Sequence, residues 1–179
     1  MKRYLRVLFV LSIFLIGSCA GKTPPPIPVE PKPVFTEKFI SVHLKADSQL
    51  NLYSGGSHAL HLCVYQLSDP NAFNQLSENE MGIGKLLGCD RLDAGPPIQG
   101  VAISKKLIIQ PGEDQTFDLD RAEGAKYVGI VAGYYQMQKK QVVRLYAIPV
   151  TEEQQQGMLV IKQKPLKINL FLGPQALQD

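Results

Sequence analysis

Ile40-Ser41-Val42-His43-Leu44-Lys45 alternates apolar and polar residues, which is the period of a β-strand with one buried face. The segment 166–172 repeats this alternation, with leucine or isoleucine at every second position. Short apolar stretches of similar character lie between these two segments, at 59–67, 107–109, 116–119, 127–135 and 142–150. About seven short strands separated by turn residues predict an all-β fold, a two-sheet sandwich.

One segment departs from the strand pattern. Asp69-Pro70 has the residue types of a helix start, and Ser77-Glu78-Asn79-Glu80 matches a capping box. We therefore predict two short helices as an insertion at about 69–88, within a β-sandwich domain of residues 35–179. The bare glycines of the stretch 127–135 indicate close packing or a bulge there.

The first eighteen residues predict an export signal. Lys2, Arg3 and Arg6 precede an almost unbroken apolar run at 7–16. A helix of that length rises about 15 Å, half of the roughly 30 Å hydrocarbon core, which favours a signal peptide at 1–18 over a transmembrane anchor.

Ile16-Gly17-Ser18-Cys19 resembles the lipobox of bacterial lipoproteins, in which small residues precede a cysteine. The thiol of Cys19 is the group that takes the diacylglyceryl chain, so we predict lipidation at this residue. The alternative is an ordinary signal peptide with an incidental cysteine at its cleavage region.

The formal net charge of +3 arises in this signal, since 19 basic residues face 16 acidic ones in the whole chain. Residues 1–18 hold three of the basic residues and no acidic one, so the remainder of the chain is balanced. A balanced chain lacks the basic footprint of a nucleic-acid partner, and we predict none.

A proline-rich linker is predicted at 19–34, with six prolines between Gly21 and Pro33. Such a segment prefers the polyproline II conformation, and at about 3.1 Å per residue it would give a semi-rigid stalk of roughly 40 Å. A spacer that lifts a domain off a membrane is the favoured interpretation, and a proline-motif ligand is the alternative.

Two cysteines, Cys63 and Cys89, remain once Cys19 is acylated. The compartment outside the inner membrane is oxidising, which favours a disulfide between them, with two buried free thiols as the alternative. His58, His61 and Cys63 lack the further ligands that structural zinc requires, so we predict no metal site.

No nucleophile with a placed base and no Gly-x-Ser-x-Gly elbow occurs in the sequence. The sequence therefore predicts a protein that is not an enzyme, with no cofactor and no small-molecule substrate.

The loop between the first two strands, DSQLNLYSGGSH at 47–58, is too long for a tight hairpin. It carries Leu50, Leu52 and Tyr53 in polar surroundings. Exposed on a loop, these side chains would be anchors for a partner. The alternative is that Leu50 and Leu52 fold back and cap the sandwich.

The chain resembles the type VI secretion outer-membrane lipoproteins (TssJ, also called SciN). The stretches that carry this resemblance are Leu44-Lys45-Ala46-Asp47, Val64-Tyr65-Gln66-Leu67 with Phe73 downstream, Ile109-Gln110-Pro111-Gly112 and 127–134. Together with the lipobox, these stretches extend the resemblance over nearly the whole chain from Cys19. Many relatives have Asn-Pro where this chain has Asn51-Leu52, and many have Trp-Arg where it has Val143-Arg144.

The resemblance implies a transthyretin-like two-sheet β-sandwich with a helical insertion. It also implies a structural function, as an outer-membrane tether in the type VI secretion membrane complex. The partner would be the periplasmic C-terminal domain of TssM, an IcmF-like inner-membrane protein, bound through the loop between the first two strands. In this sequence that loop consists of Asp47, Ser48, Gln49, Leu50, Asn51, Leu52, Tyr53, Ser54, Gly55, Gly56, Ser57 and His58.

Ala20 follows the predicted lipidated cysteine, and by analogy with enterobacterial sorting it favours delivery to the outer membrane, with the domain facing the periplasm. The alternative function is a lipoprotein binding module that serves another envelope assembly or a small ligand.

Overall fold

The computed structural model describes residues 32–89, 97–155 and 158–178. The predicted signal peptide 1–18, Cys19 and most of the predicted linker lie outside the described residues. Within the described ranges, no helix has the length and apolar character needed to cross a bilayer.

Ten strands and three short helices follow one another along the described chain. They are β1 (Thr36–Ala46), β2 (Leu60–Leu67), α1 (Asn71–Leu76), α2 (Glu80–Leu86), β3 (Val101–Ile109), β4 (Asp114–Arg121), β5 (Tyr127–Ala132), α3 (Lys139–Val142), β6 (Val143–Ala147), β7 (Val150–Gln155), β8 (Met158–Gln163), β9 (Leu166–Leu172) and β10 (Leu177–Gln178). One sheet has the order β10-β9-β1-β4, the other has the order β3-β2-β5-β6, and β7 pairs with β8 in a separate hairpin. The predicted all-β class is confirmed.

The core lies between the two four-stranded sheets. Along β1 the side chains of Ile40, Val42 and Leu44 are fully buried, as the alternation predicted. β9 runs parallel to β1 and places Ile168 beside Val42 and Leu170 beside Leu44. The two alternating strands therefore line one continuous apolar face, which the second sheet covers.

β2 is buried on both faces because the helical insertion covers its outer face. The ring of Tyr65 meets that of Phe73 edge-on, with centroids 5.6 Å apart, and the Tyr65 hydroxyl donates to the carbonyl of Leu86. Gly129 lies opposite Tyr65 on β5. A Cβ on Gly129 would lie 2.6 Å from Cζ of Phe73, so of the two alternatives for the glycines of 127–135, close packing is present at Gly129.

The insertion is fastened to β2 by the disulfide between Cys63 and Cys89, whose Cα atoms are 6.0 Å apart. Of the two alternatives for these cysteines, the structure contains the bonded pair. Since Cys63 lies within β2 and Cys89 follows α2, the bond closes both helices onto their parent strand.

The helix starts differ in detail from the sequence prediction. α1 begins at Asn71, one residue late, although Oδ1 of Asp69 accepts a hydrogen bond from the Asn71 amide at 2.7 Å. The cap of α2 is Asn79, whose Oδ1 accepts from the Gly82 amide at 2.9 Å, and Ser77 instead donates to the carbonyl of Asn74. Asn79 is in the extended conformation that a cap needs.

Two strand predictions need correction. The strand predicted at 127–135 ends at Ala132. The one predicted at 142–150 is divided into the last residue of α3, all of β6, the connecting residues Ile148 and Pro149, and the first residue of β7. Pro149 precedes β7 and separates it from β6, because proline has no amide to donate to a ladder. The hairpin of β7 and β8 was not predicted, because its glutamine-rich first strand has no apolar alternation.

Candidate protein-binding surface

Three loop segments converge at one end of the sandwich: 47–58 after β1, 133–138 after β5, and 173–176 after β9. β1 and β9 are parallel neighbours, so both strands end at the same end of the sandwich. β5 runs antiparallel to β2, so the end of β5 lies beside the start of β2, which follows the 47–58 loop. We call this end the loop pole.

The apolar residues of the 47–58 loop divide between core and surface. Leu50 is fully buried, so this residue folds back into the core and is not an exposed anchor. Leu52 is half-buried and its amide donates to the carbonyl of Pro174 at 2.8 Å. Tyr53 is 53% exposed, which leaves it as the large exposed side chain of the loop.

Asn51 connects the loop to the segment after β5. Asn51 is 6% exposed, and its side chain donates to the carbonyl of Ala59 at 3.3 Å and accepts from the amide of Tyr135 at 3.2 Å. The backbone of Asn51 is left-handed, with φ of 50°, a conformation that asparagine tolerates better than most residues. Asn51 therefore holds two loops of the pole in one arrangement.

Tyr53 stacks on Tyr135, with ring centroids 4.1 Å apart and planes inclined by 18°. The rings of His58 and Tyr135 are arranged edge to face, with centroids 5.5 Å apart and planes inclined by 77°. Tyr135 is itself 52% exposed, and the sequence pattern predicted it only as the last residue of a strand. The signal that could have found it is an aromatic residue directly after the buried Tyr134, where the apolar stretch ends.

The other residues of the predicted loop are structural or lie at the surface. The backbone of Asp47 links β9 to the turn before β4, donating to the carbonyl of Leu172 at 2.8 Å and accepting from the amide of Gly112 at 3.0 Å. Gly56 exchanges two backbone hydrogen bonds with Tyr53 and so closes the loop tip. The exposed remainder is Ser48, Gln49, Ser54, Gly55, Ser57 and His58.

A groove of about 420 Å³ runs between the three segments. It is lined by Asn51, Leu52, Tyr53, Ser54, Tyr134, Tyr135, Gln136, Pro174 and Gln175. None of these side chains carries a formal charge at neutral pH. The groove is therefore an aromatic and uncharged surface of amide, hydroxyl and apolar groups.

Tyr134 supports the groove from below. Its hydroxyl has one hydrogen, which the carbonyls of Gly173 at 3.2 Å and Ala176 at 3.0 Å share in a bifurcated bond, and this holds the segment after β9 in place. Burial raises the pKa of Tyr134 well above its usual value, although nearby Arg144 acts in the opposite direction. The hydroxyl therefore stays protonated and remains a donor across the physiological pH range.

At the other end of the sandwich, the side chain of Arg121 forms hydrogen bonds to the residues that lead into β1. Arg121 is 4% exposed, and its guanidinium donates to the carbonyl of Val34 at 2.6 and 3.1 Å and to Oγ1 of Thr36 at 3.0 Å. It also donates to Gln163 and lies over the ring of Phe39. Burial lowers the pKa of Arg121, but an arginine remains charged at physiological pH.

Two further contacts hold the same segment. The amide of Gly124 donates to the carbonyl of Pro33 at 2.7 Å, and Lys32 pairs with Glu123 at 2.7 Å. Residues 32–34, which we assigned to the linker, are thus fastened to the domain. The chain enters the fold at this end, opposite the loop pole, and we call the end where residues 32–34 contact Arg121, Glu123 and Gly124 the anchor pole.

Fold and surface together define a class: a two-sheet β-sandwich with a disulfide-fastened helical insertion and an aromatic, uncharged groove among the loops of one end. A sequence model of the type VI secretion lipoprotein family (VasD, EvfM, TssJ) matches residues 38–170, and the chain belongs to this family. Membership places it among the membrane-associated proteins of the cell envelope.

Solved structures share this fold. TssJ1 from Pseudomonas aeruginosa is 18% identical, with a TM-score of 0.56 over 82% of this chain and 94% of that one. A chain in the structure of the TssM C-terminal domain from EAEC is 15% identical, with a TM-score of 0.54 over 78% of this chain and 94% of that one.

A chain in the structure of a type VI membrane complex is 14% identical, with a TM-score of 0.56 over 82% of this chain and 98% of that one. At these identities the likeness establishes the fold alone. A comparison with curated protein sequences gave no match.

Proposed function

We propose that this protein is the outer-membrane tether of a type VI secretion membrane complex. Lipid chains on Cys19 anchor it, the sandwich faces the periplasm, and the loop pole binds the periplasmic C-terminal domain of a TssM-type inner-membrane protein. In this proposal the protein acts by holding two components together and catalyses no reaction.

Family membership supports the proposal, because the matched family is one of type VI secretion lipoproteins. Two of the solved structures with the same fold contribute further support. One is described as a TssM C-terminal domain and the other as a type VI membrane complex.

The single observation that carries the proposal is the placement of the two poles at opposite ends of one strand. The side of the chain that carries the predicted lipid site reaches the fold at residues 32–34, and the 47–58 loop begins directly after Ala46. The eleven residues of β1 between them span about 35 Å, at about 3.3 Å per residue. A domain held at the anchor pole therefore presents its loop pole away from the membrane, toward a partner in the periplasm.

The anchor is tested by Cys19→Ser in the full chain. We expect this variant to move from the outer-membrane fraction to the soluble periplasmic fraction and to lose secretion, since no thiol remains to take the lipid. Ser18→Ala keeps a small residue before the cysteine and is the control that should remain in the membrane. Secretion that persists with soluble Cys19→Ser would exclude a tethering function.

The partner surface is tested by replacing residues 52–57 with a Gly-Ser linker in the full chain, which leaves the buried Leu50 and Asn51 in place. We expect the variant to fold, as judged by circular dichroism, and to lose capture of the purified TssM periplasmic domain. Val150→Ala changes an exposed residue on β7, away from the loop pole, and its affinity should stay within about twofold. Unchanged capture by the loop variant would move the interface elsewhere.

A further inference from the structure

The uncharged groove extends the loop pole beyond the 47–58 loop. Five of its nine lining residues lie outside that loop, on the segments after β5 and β9. Since those segments are distant in sequence, the groove exists only because the sandwich brings three strand ends together.

The rim of the groove is the stacked pair of Tyr53 and Tyr135. Both rings remain more than half exposed after stacking on each other, so each presents apolar surface to the solvent. Tyrosine is enriched where proteins meet, because a rigid ring gives a large contact area and loses little conformational entropy on binding.

The groove is also held in place before any partner binds. Asn51 bonds to the Tyr135 amide, the Leu52 amide bonds to Pro174, and the Tyr134 hydroxyl bonds to Gly173 and Ala176. Binding to such a surface does not carry the cost of ordering three separate loops.

We propose that the partner-binding site is this composite groove, with Tyr135 as an anchor equal in importance to Tyr53. Its occupant is an uncharged segment of the TssM-type periplasmic domain. This segment places an apolar or proline side chain in the space between the stacked tyrosine pair on one side and Pro174 on the other. The inference rests on the proposed function and names the chemistry of the same site.

The charge of the occupant follows from the lining. A charged side chain that entered the groove would lose water and find no opposite charge among the nine lining residues. An apolar or proline side chain loses no such hydration and can pack against the aromatic faces. Binding should accordingly depend little on ionic strength.

The first experiment measures binding of the full chain, purified in detergent, to the purified TssM periplasmic domain. We expect Tyr135→Ala to weaken binding by about 30-fold, as for a central aromatic anchor, whereas Tyr135→Phe keeps the ring and stays within about threefold. Val150→Ala removes an exposed apolar side chain on β7 as the matched control and should leave binding unchanged.

The second experiment places a charge of either sign at Gln136, an exposed residue of the groove. We expect Gln136→Lys and Gln136→Glu to weaken binding alike. If one sign strengthens binding and the other weakens it, the occupant is charged and the inference is wrong.

The two proposals fail in different ways. Full binding by Tyr135→Ala together with lost binding on replacement of residues 52–57 would overturn the composite groove and leave the tether intact. Absence of binding by the unaltered chain would overturn the proposed partner, and the inference with it. A third outcome is that the unaltered chain associates with itself and does not bind TssM, and that Tyr135→Ala abolishes this self-association. The occupant of the groove would then be a second copy of the chain, and the inference would be wrong.

Discussion

Loss of the Cys63–Cys89 bond should lower the free energy of unfolding by about 3–4 kcal/mol. The bond joins residues 26 positions apart, and in the chain-entropy account a closed loop of that length restricts the unfolded chain by about this amount. The double variant Cys63→Ala, Cys89→Ala suits the test because Cys63 is fully buried and alanine leaves no polar atom there. Urea unfolding of both proteins gives the difference.

Reduction provides the control for this prediction. A reducing agent should destabilise the unaltered protein to the level of the double variant and should leave the variant itself unchanged. Hydrogen exchange should rise most in α1 and α2, which the bond holds onto β2. An unfolding midpoint that does not respond to reduction would show that the bond contributes nothing to stability.

Gly82→Ala should destabilise the protein by about 2–3 kcal/mol, even though alanine is the better helix former by about 1 kcal/mol. A Cβ on Gly82 would lie 2.7 Å from the carbonyl carbon of Leu76 and 2.9 Å from its Cα, and nearer still to the carbonyl oxygen. These are backbone atoms at the end of α1, which cannot rotate away as a side chain could. The two helices would have to separate, and the packing of Phe73 and Leu86 on β2 would loosen.

Gly84→Ala is the matched control in the same helix. A Cβ on Gly84 would have no heavy atom within 4 Å, so this change should add about 1 kcal/mol through helix propensity alone. Thermal unfolding of the two single variants should therefore shift in opposite directions. Equal shifts would mean that the contact between α1 and α2 does not constrain Gly82.

Local patterns predicted those parts of the fold that depend on neighbouring residues. The alternation of Ile40, Val42 and Leu44 fixes which face of β1 is buried, because side chains of a strand point to opposite faces in turn. The glycine opposite Tyr65 predicted close packing for a similar reason, since an absent side chain leaves space for a neighbour. The hairpin of β7 and β8 was missed because its first strand offers no such pattern.

The candidate site was predicted in part. The 47–58 loop is identifiable from its length and its aromatic residue, but the exposure of each side chain is not. Leu50 and Tyr53 are both apolar loop residues, and one is fully buried whereas the other is half exposed. This difference depends on the direction of the backbone at Asn51, which the buried hydrogen bonds to Ala59 and Tyr135 determine.

The amino-acid sequence alone is sufficient for the class of fold, the buried faces of the strands, and the resemblance to a secretion lipoprotein family. Tertiary structure alone decides that β1 and β9 are parallel neighbours, that Arg121 grips Val34, and that Tyr135 stacks on Tyr53. The physical reason is distance along the chain. Side-chain periodicity repeats every two residues, whereas these contacts join residues more than eighty positions apart and form only when the whole core is assembled.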